Sequence, residues 1–284
     1  MSNEKFSLAH LTAITCDTPE LIRIASQAGY DYVSPRVIYM GLPGEPNYSL
    51  ATNPGRFEAT RRALDETGMR IHDVELARVV PDLDPRTRYG PELEKAAELG
   101  ARAVLSSIWT DDRDYYLAKF AEICQVAAEL DMTVNLEFVP IAGVRNLAQA
   151  VDVLRTVNAP NAGLMIDIHH IHRSRDKVED LDGLPAEWFN FCHLCDAPGD
   201  IPTDVEEMTH ILRAARSYVG EGGIPVADIV NHMPEMVYSI ELPNDERVAQ
   251  YGPAEHARRC LESAKAYFAT HPRPDETNAD VAPV

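Results

Sequence analysis

Thr133-Val134-Asn135-Leu136-Glu137 is a short apolar run that ends on a carboxylate. Three later runs repeat the pattern. Ala162-Gly163-Leu164-Met165-Ile166 leads into Asp167, Phe189-Asn190-Phe191-Cys192 into His193, and Met236-Val237-Tyr238-Ser239-Ile240 into Glu241. Runs of this length and composition read as buried strands. The C-terminal ends of successive parallel strands are where barrel enzymes keep their chemistry. Three carboxylates and an imidazole converging on one point repel one another unless a cation sits among them. The pattern therefore predicts a fold and a metal site together: Glu137, Asp167, His193 and Glu241 as ligands.

Outward from these four runs, strand-like and helix-like stretches alternate along the chain. Strands are expected at residues 7–12, 30–34, 70–76, 103–106, 133–137, 163–167, 190–194 and 237–241. Helices are expected at 19–27, 54–67, 91–99, 113–130, 147–157, 205–214, 226–232 and 254–269. Asp17-Thr18-Pro19-Glu20 supplies a capping residue and an early proline, and Gly29 and Gly100 stand where helices end. Eight strand–helix units are the count of a single (β/α)8 TIM barrel in the α/β class. The competing doubly wound sheet would carry a Gly-rich phosphate loop after an early strand, and no G-x-G-x-x-G or Walker-type sequence is present. One domain is expected over residues 1–271. Residues 272–284, rich in Pro and Asp and without periodicity, read as a flexible C-terminal tail. The longer connections, 36–53, 77–89, 171–187 and 197–204, follow strands and so fall on the pocket side. The polar stretch 174–182 reads as a lid or as a solvated surface loop.

The formal net charge of −19 opposes binding to nucleic acid backbones or to anionic lipid. No run approaches the roughly 20 apolar residues that span a bilayer. Met1-Ser2-Asn3-Glu4-Lys5 leads into a strand-like segment without an apolar signal region, so the cytoplasm is the expected location. The expected partner is a small-molecule substrate, and a homo-oligomer is compatible with the sequence. Five cysteines, an odd number, argue for free thiols over a disulfide framework. Cys192 and Cys195 form a lone C-x-x-C, and in a strand Cys192 would face away from its neighbour His193.

The set of motifs resembles the xylose-isomerase-like TIM barrels, the superfamily of sugar isomerases, epimerases and endonuclease IV. The residues that carry the resemblance are Leu136-Glu137-Phe138-Val139-Pro140, Asp167-Ile168-His169-His170 with Arg173-Ser174, and His193-Leu194-Cys195-Asp196. Gly220-Glu221-Gly222-Gly223-Ile224-Pro225 and Ile240-Glu241-Leu242-Pro243 complete it. The resemblance implies one divalent ion held by Glu137, Asp167, His193 and Glu241. Oxygen-rich ligation with one imidazole suits Mn2+ or Mg2+ best, with Co2+ or Zn2+ as alternatives. It further implies that Glu137 and Glu241 act on opposite faces of a bound keto compound. One takes the proton beside a metal-bound carbonyl and the other returns it.

His170, at the D-x-x-H position, is a candidate substrate contact, and so are Asp196 and Arg173, whose planar fork suits a carboxylate or a hydroxyl pair. Among first-half strand ends, His10, Arg36, His72, Glu75 and Trp109 are candidates, with Glu75 and Trp109 expected near the pocket rim. The function expected is isomerisation or epimerisation of a small polyhydroxylated keto compound of sugar or cyclitol type. A lyase that eliminates a β-oxygen substituent at the same site is the alternative. Epimerases of the group commonly carry an Arg several residues beyond the strand-7 His, and Ala197-Pro198-Gly199-Asp200 offers none. Dehydroshikimate dehydratases tend to carry a His where Val139 stands here. An endonuclease IV-like nuclease would need more strand-end histidines and a basic groove. A non-catalytic binding barrel would have no use for four intact ligands.

Overall fold

Eight parallel strands curl into one sheet: β1 Lys5–Ala9, β2 Tyr32–Ser34, β3 Val74–Val79, β4 Ala103–Ile108, β5 Thr133–Glu137, β6 Ala162–Asp167, β7 Phe189–Leu194 and β8 Val237–Ile240. The computed structural model describes residues 4–41 and 45–274, so most of the segment read as a tail lies outside the described residues. Within that segment, Arg273 donates to the carbonyl of Met233 at 2.6 Å and to the Tyr238 hydroxyl at 2.9 Å. Neighbours in the sheet run β2-β1-β8-β7-β6-β5-β4-β3. The seam between β2 and β3 is closed by parallel bridges Val33 to Ile71 and Arg36 to Glu75. Backbone hydrogen bonds of 3.0–3.1 Å hold it, from His72 N to Val33 O and from Glu75 N to Pro35 O. The architecture is a single (β/α)8 TIM barrel.

The outer ring consists of α1 Thr18–Ala28, α2 Pro54–Thr67, α3 Pro85–Glu98, α4 Arg113–Ala128, α5 Leu147–Val157, α6 Ile168–Arg173, α7 Val205–Ala214, α8 Val226–Asn231, α9 Asp245–Tyr251 and α10 Pro253–Thr270. Asp or Asn caps most of the helices that come after strands. The side chains of Asp17, Asn53, Asp84, Asp112, Asn146, Asp204 and Asn244 each accept a backbone N–H of the first turn. Gly29 and Gly68 end α1 and α2 at φ of 86° and 69°, a conformation that glycine adopts without strain. The main core lies between sheet and helices. A smaller cluster of Leu76, Leu105, Met165 and Phe191 fills the inside of the barrel.

Three boundaries differ most from the sequence expectation. The third strand runs Val74–Val79 rather than 70–76, because Ala77, Arg78 and Val79 pair with Ser106, Ser107 and Ile108 of β4. The first strand stops at Ala9, and His10–Ala13 turns into a 3-10 helix. Pro91 starts no helix; α3 begins at Pro85 behind the Asp84 cap and carries Pro91 inside it. Among the described residues no helix is long and apolar enough to cross a membrane. All five cysteines are free and buried.

Candidate active site

Register brings the four strand-end residues to one level. Glu137 ends β5, and Asp167, which ends β6, pairs across with His193 of β7. Glu241 comes directly after β8. His193 Nδ1 lies 3.7 Å from Glu137 Oε1, 4.0 Å from Asp167 Oδ2 and 3.4 Å from Glu241 Oε2. All four side chains are buried. Neither ring nitrogen of His193 has a hydrogen-bond partner, and the 3.4 Å approach to Glu241 is a charge contact without hydrogen-bond geometry. A fully buried imidazole nitrogen ringed by three carboxylate oxygens, yet bonded to none, fits a metal ligand.

Two guanidiniums brace this cluster. Arg216, fully buried, donates from Nη1 to Asp167 Oδ2 at 2.8 Å and to the Glu241 carbonyl at 3.0 Å. Its Nη2 lies 3.0 Å from Glu241 Oε2. Arg36 donates to Glu75 Oε2 from Nε at 3.1 Å and from Nη2 at 3.0 Å, and stands 4.0 Å from Glu241 Oε1. Glu75 Oε1 lies 4.0 Å from His193 Nε2 and has no hydrogen-bond partner. Four carboxylates, Glu75, Glu137, Asp167 and Glu241, thus meet two guanidiniums. The two negative charges left over match one divalent cation.

Without a cation the cluster gathers protons instead. Burial pushes Glu137 well above the usual carboxylate range and Glu75 up to about 7. Burial opposes charge on His193, but Glu241, Glu137 and Glu75 outweigh it and raise its pKa to about 10. Glu241 goes the other way. Despite its burial, His193 and Arg216 hold it below the usual range.

The candidate substrate contacts fall into two groups. His170 reaches the cluster: β6 ends on Asp167, whose Oδ1 caps α6 by accepting from His169 N at 2.6 Å and His170 N at 3.3 Å. Strand alternation therefore does not sort the two histidines. His170 Nε2 lies 3.6 Å from both Glu137 Oε1 and Asp167 Oδ2, and its Nδ1 meets His169 Nδ1 at 3.3 Å. Burial lowers its pKa to about 4, so the ring is neutral near pH 7. Glu75 sits beneath the cluster, and Trp109 lines the cavity above it with Nε1 donating to Ser107 Oγ at 2.9 Å.

Four other candidates make structural contacts instead. Asp196 is 2% exposed, and its carboxylate accepts from Ala197 N, Gly220 N, Gly222 N and Ile224 N at 2.8–3.0 Å. It is the post around which the Gly220–Ile224 loop winds, and a Cβ on Gly222 would collide with it. Arg173 donates to the Pro198 carbonyl at 2.7 Å and contacts His172 Nδ1 at 2.8 Å. His10 uses both ring nitrogens, one toward Cys16 O at 2.8 Å and the other accepting Arg36 N at 2.9 Å. His72 pairs with Asp73 at 3.0 Å, and its ring edges against Phe191. In the 174–182 stretch Leu181 is buried and Asp182 pairs with His232 at 2.7 Å, so the segment is pinned to the body at that end.

Above the cluster opens a cavity of about 410 Å3, with Arg36, Trp109, Glu137, His170, Arg216 and Glu241 in its lining. That volume suits a small molecule. A larger cavity of about 950 Å3 lies at the opposite end, beside the strand starts Ala103, Thr133 and Val237, away from these carboxylates.

Fold and strand-end cluster together define an α/β barrel that gathers its polar groups at one mouth. A family model for the xylose isomerase-like TIM barrel matches residues 22–265, and the chain belongs to that family. No curated protein matches the sequence significantly. Several solved structures share the fold. The IolI protein with a bound zinc atom is 18% identical with a TM-score of 0.78, over 94% of this chain and 99% of its own. D-Allulose 3-epimerase from Methylomonas sp. in complex with D-allulose is 17% identical with a TM-score of 0.66, over 93% and 96%. The probable 3-DHS dehydratase AsbF of petrobactin synthesis from Bacillus anthracis is 15% identical with a TM-score of 0.71, over 95% and 100%.

Proposed function

We propose that this barrel is a divalent-metal-dependent isomerase or epimerase of a small polyhydroxylated keto compound, acting by proton abstraction beside the carbonyl. The observation that carries the reading is His193 Nδ1, buried, unbonded and within 4.0 Å of oxygens from Glu137, Asp167 and Glu241. These four residues would hold the ion, and the oxygen-rich set favours Mn2+ or Mg2+. Bound there, the ion supplies Lewis acidity toward a carbonyl and its neighbouring hydroxyl, which lowers the cost of deprotonating the carbon between them.

The chain's own groups do the rest. Glu241 lines the cavity as a carboxylate and is placed to take the proton. Glu137, on the far side of the cluster from it, is placed to return one. Both line the cavity, and they come from strands separated by β6 and β7, so they approach a bound molecule from different sides. His170, neutral, offers a ring nitrogen to a substrate hydroxyl. Arg36 and Arg216 keep the carboxylates in place while charge moves. The solved epimerase and the zinc-containing IolI structure support this reading through their shared fold.

Metal analysis of the purified protein tests the first half, with about one divalent ion per chain expected. Incubation with a panel of keto sugars, inososes and keto acids in D2O tests the second. Solvent deuterium entering beside the carbonyl supports proton abstraction, and loss of water from the same compounds identifies the lyase outcome. Transfer of a substrate deuterium to the adjacent carbon without exchange overturns the mechanism.

A further inference from the structure

Four arginines line the cavity above the cluster: Arg36, Arg78, Arg213 and Arg216. Two of them are committed, Arg36 to Glu75 and Arg216 to Asp167 and Glu241. The other two are not. Among the described residues neither Arg78 nor Arg213 has a carboxylate within 4.0 Å. Arg78 stands at the end of β3, half-buried, with its guanidinium carbon 4.2 Å from the centre of the Trp109 ring. Its Nη1 has only the Met40 sulfur at 3.8 Å, and its buried Nε has no acceptor. Arg213, in the last turn of α7, is exposed at the cavity edge. Burial lowers the pKa of Arg78, and the charge of Arg213 adds to that.

Leaving a partly desolvated guanidinium unpaired is unfavourable. A chain with 45 acidic and 26 basic residues has carboxylates in surplus with which to pair it. Instead, of the two acids outside the cluster that line the same cavity, Glu45 accepts Met40 N at 3.1 Å, and Asp245 stands more than 4.0 Å from either guanidinium. Stacking on Trp109 restrains the Arg78 plane, so a flat two-oxygen anion can meet its fork with little ordering cost. The described residues lining the cavity include no lysine and no glycine, the usual parts of a phosphate cradle.

We infer that the substrate carries a carboxylate, which Arg78 and Arg213 hold at the cavity rim while its keto-alcohol end meets Glu137 and Glu241. The keto-alcohol end rests on the isomerase or epimerase reading; the anion does not. The substrate class is then a keto acid bearing hydroxyls, rather than a neutral sugar or cyclitol.

The test uses the full-length, metal-loaded protein and sets of three ligands on one ketohexose skeleton: the neutral ketose, the same ketose oxidised to a carboxylate at C6, and its 6-phosphate. Calorimetry is expected to show the carboxylate binding at least about tenfold more tightly than the neutral sugar in one or more sets. Arg78→Gln and Arg213→Gln are each expected to reduce that advantage by about tenfold, the scale of one charge-assisted hydrogen bond. Arg213 is exposed, so its variant reads the contact even where Arg78→Gln fails to fold. The inference is overturned if no carboxylate binds, if the neutral or phosphorylated form binds as tightly, or if folded variants keep the full preference. Deuterium exchange on the same ligands separates the two readings. Exchange without carboxylate preference removes this inference and leaves the isomerase; preference without exchange does the reverse.

Discussion

Asp167→Asn isolates the most heavily used carboxylate in the site. Asp167 does two structural jobs with two oxygens: Oδ1 caps α6 through His169 N and His170 N, and Oδ2 accepts Arg216 at 2.8 Å. Asparagine keeps one oxygen for the cap but turns an NH2 toward the guanidinium. Breaking a buried ion pair by removing one partner costs about 3–5 kcal/mol. Arg216 retains the Glu241 carbonyl at 3.0 Å and Glu241 Oε2 at 3.0 Å, so it is not left bare and the bottom of that range applies. The expected loss is about 3 kcal/mol, or a melting temperature lower by about 6–12 °C for a chain of this size. Asp167→Ala should lose about 1 kcal/mol more, because the cap goes as well. Both variants should also lose the stabilisation by Mn2+, which for wild type is about 2.7 kcal/mol at a free concentration one hundred times Kd. The assay is thermal melting of metal-stripped and Mn2+-loaded protein, with metal stoichiometry measured alongside. A stripped Asp167→Asn protein melting at the wild-type temperature would refute the ion-pair argument, and full Mn2+ occupancy in either variant would refute the ligand assignment.

Cation uptake near pH 7 should expel about one to two protons, since His193 is protonated up to about pH 10 and burial raises Glu137. Calorimetry in buffers of different ionisation heat counts them, and binding that is independent of pH between 6 and 8 counts against the site. The same shifts fix a sign for the stripped protein. His193 and Glu137 have folded-state pKa values above their usual ones, and above pH 7.5 the buried neutral histidines such as His10 and His170 no longer oppose them, so the folded chain holds extra protons and should melt at a lower temperature at pH 9 than at pH 7.5. A higher melting temperature at pH 9 contradicts this. Glu241→Gln should retain some metal yet slow deuterium exchange by a factor on the order of 10² or more, the usual scale of a lost general base. Asp196→Ala strips the acceptor from four backbone N–H groups and should cost about 3 kcal/mol in unfolding free energy, whereas an effect under about 0.5 kcal/mol would mean that the Gly220–Ile224 loop holds itself.

The barrel was legible because its strands are short, apolar and bounded by capping residues. The fifth strand spans the residues the pattern indicates, Thr133–Glu137, and the sixth and seventh each begin one residue earlier. Periodicity failed where tertiary pairing decides. Residues 70–73 look as strand-like as residues 77–79, but only the latter find a continuous partner in β4. The sixth helix was hidden for a different reason: Asp167 reads as the end of a strand, and the same side chain caps the short helix Ile168–Arg173.

The cluster Glu137, Asp167, His193 and Glu241 was legible because each member ends a run. Arg216 was not. It lies beyond α7, 23 residues after His193, in a segment that pairs with both Asp196 and Asn244 through its flanking residues. No local periodicity marks it, and a search for an arginine just past the strand-7 histidine stops at Asp200. What could have exposed it is charge. Three strand-end carboxylates with Glu75 beside them carry more negative charge than one divalent ion and one neutral imidazole can balance. The remainder requires buried cations from elsewhere in the chain, and Arg36 and Arg216 fill that role, each bonded to a carboxylate of the cluster. The same reasoning separates the four arginines of the cavity. Those that balance the cluster are consumed by it, and those left over, Arg78 and Arg213, are the ones free to select a ligand.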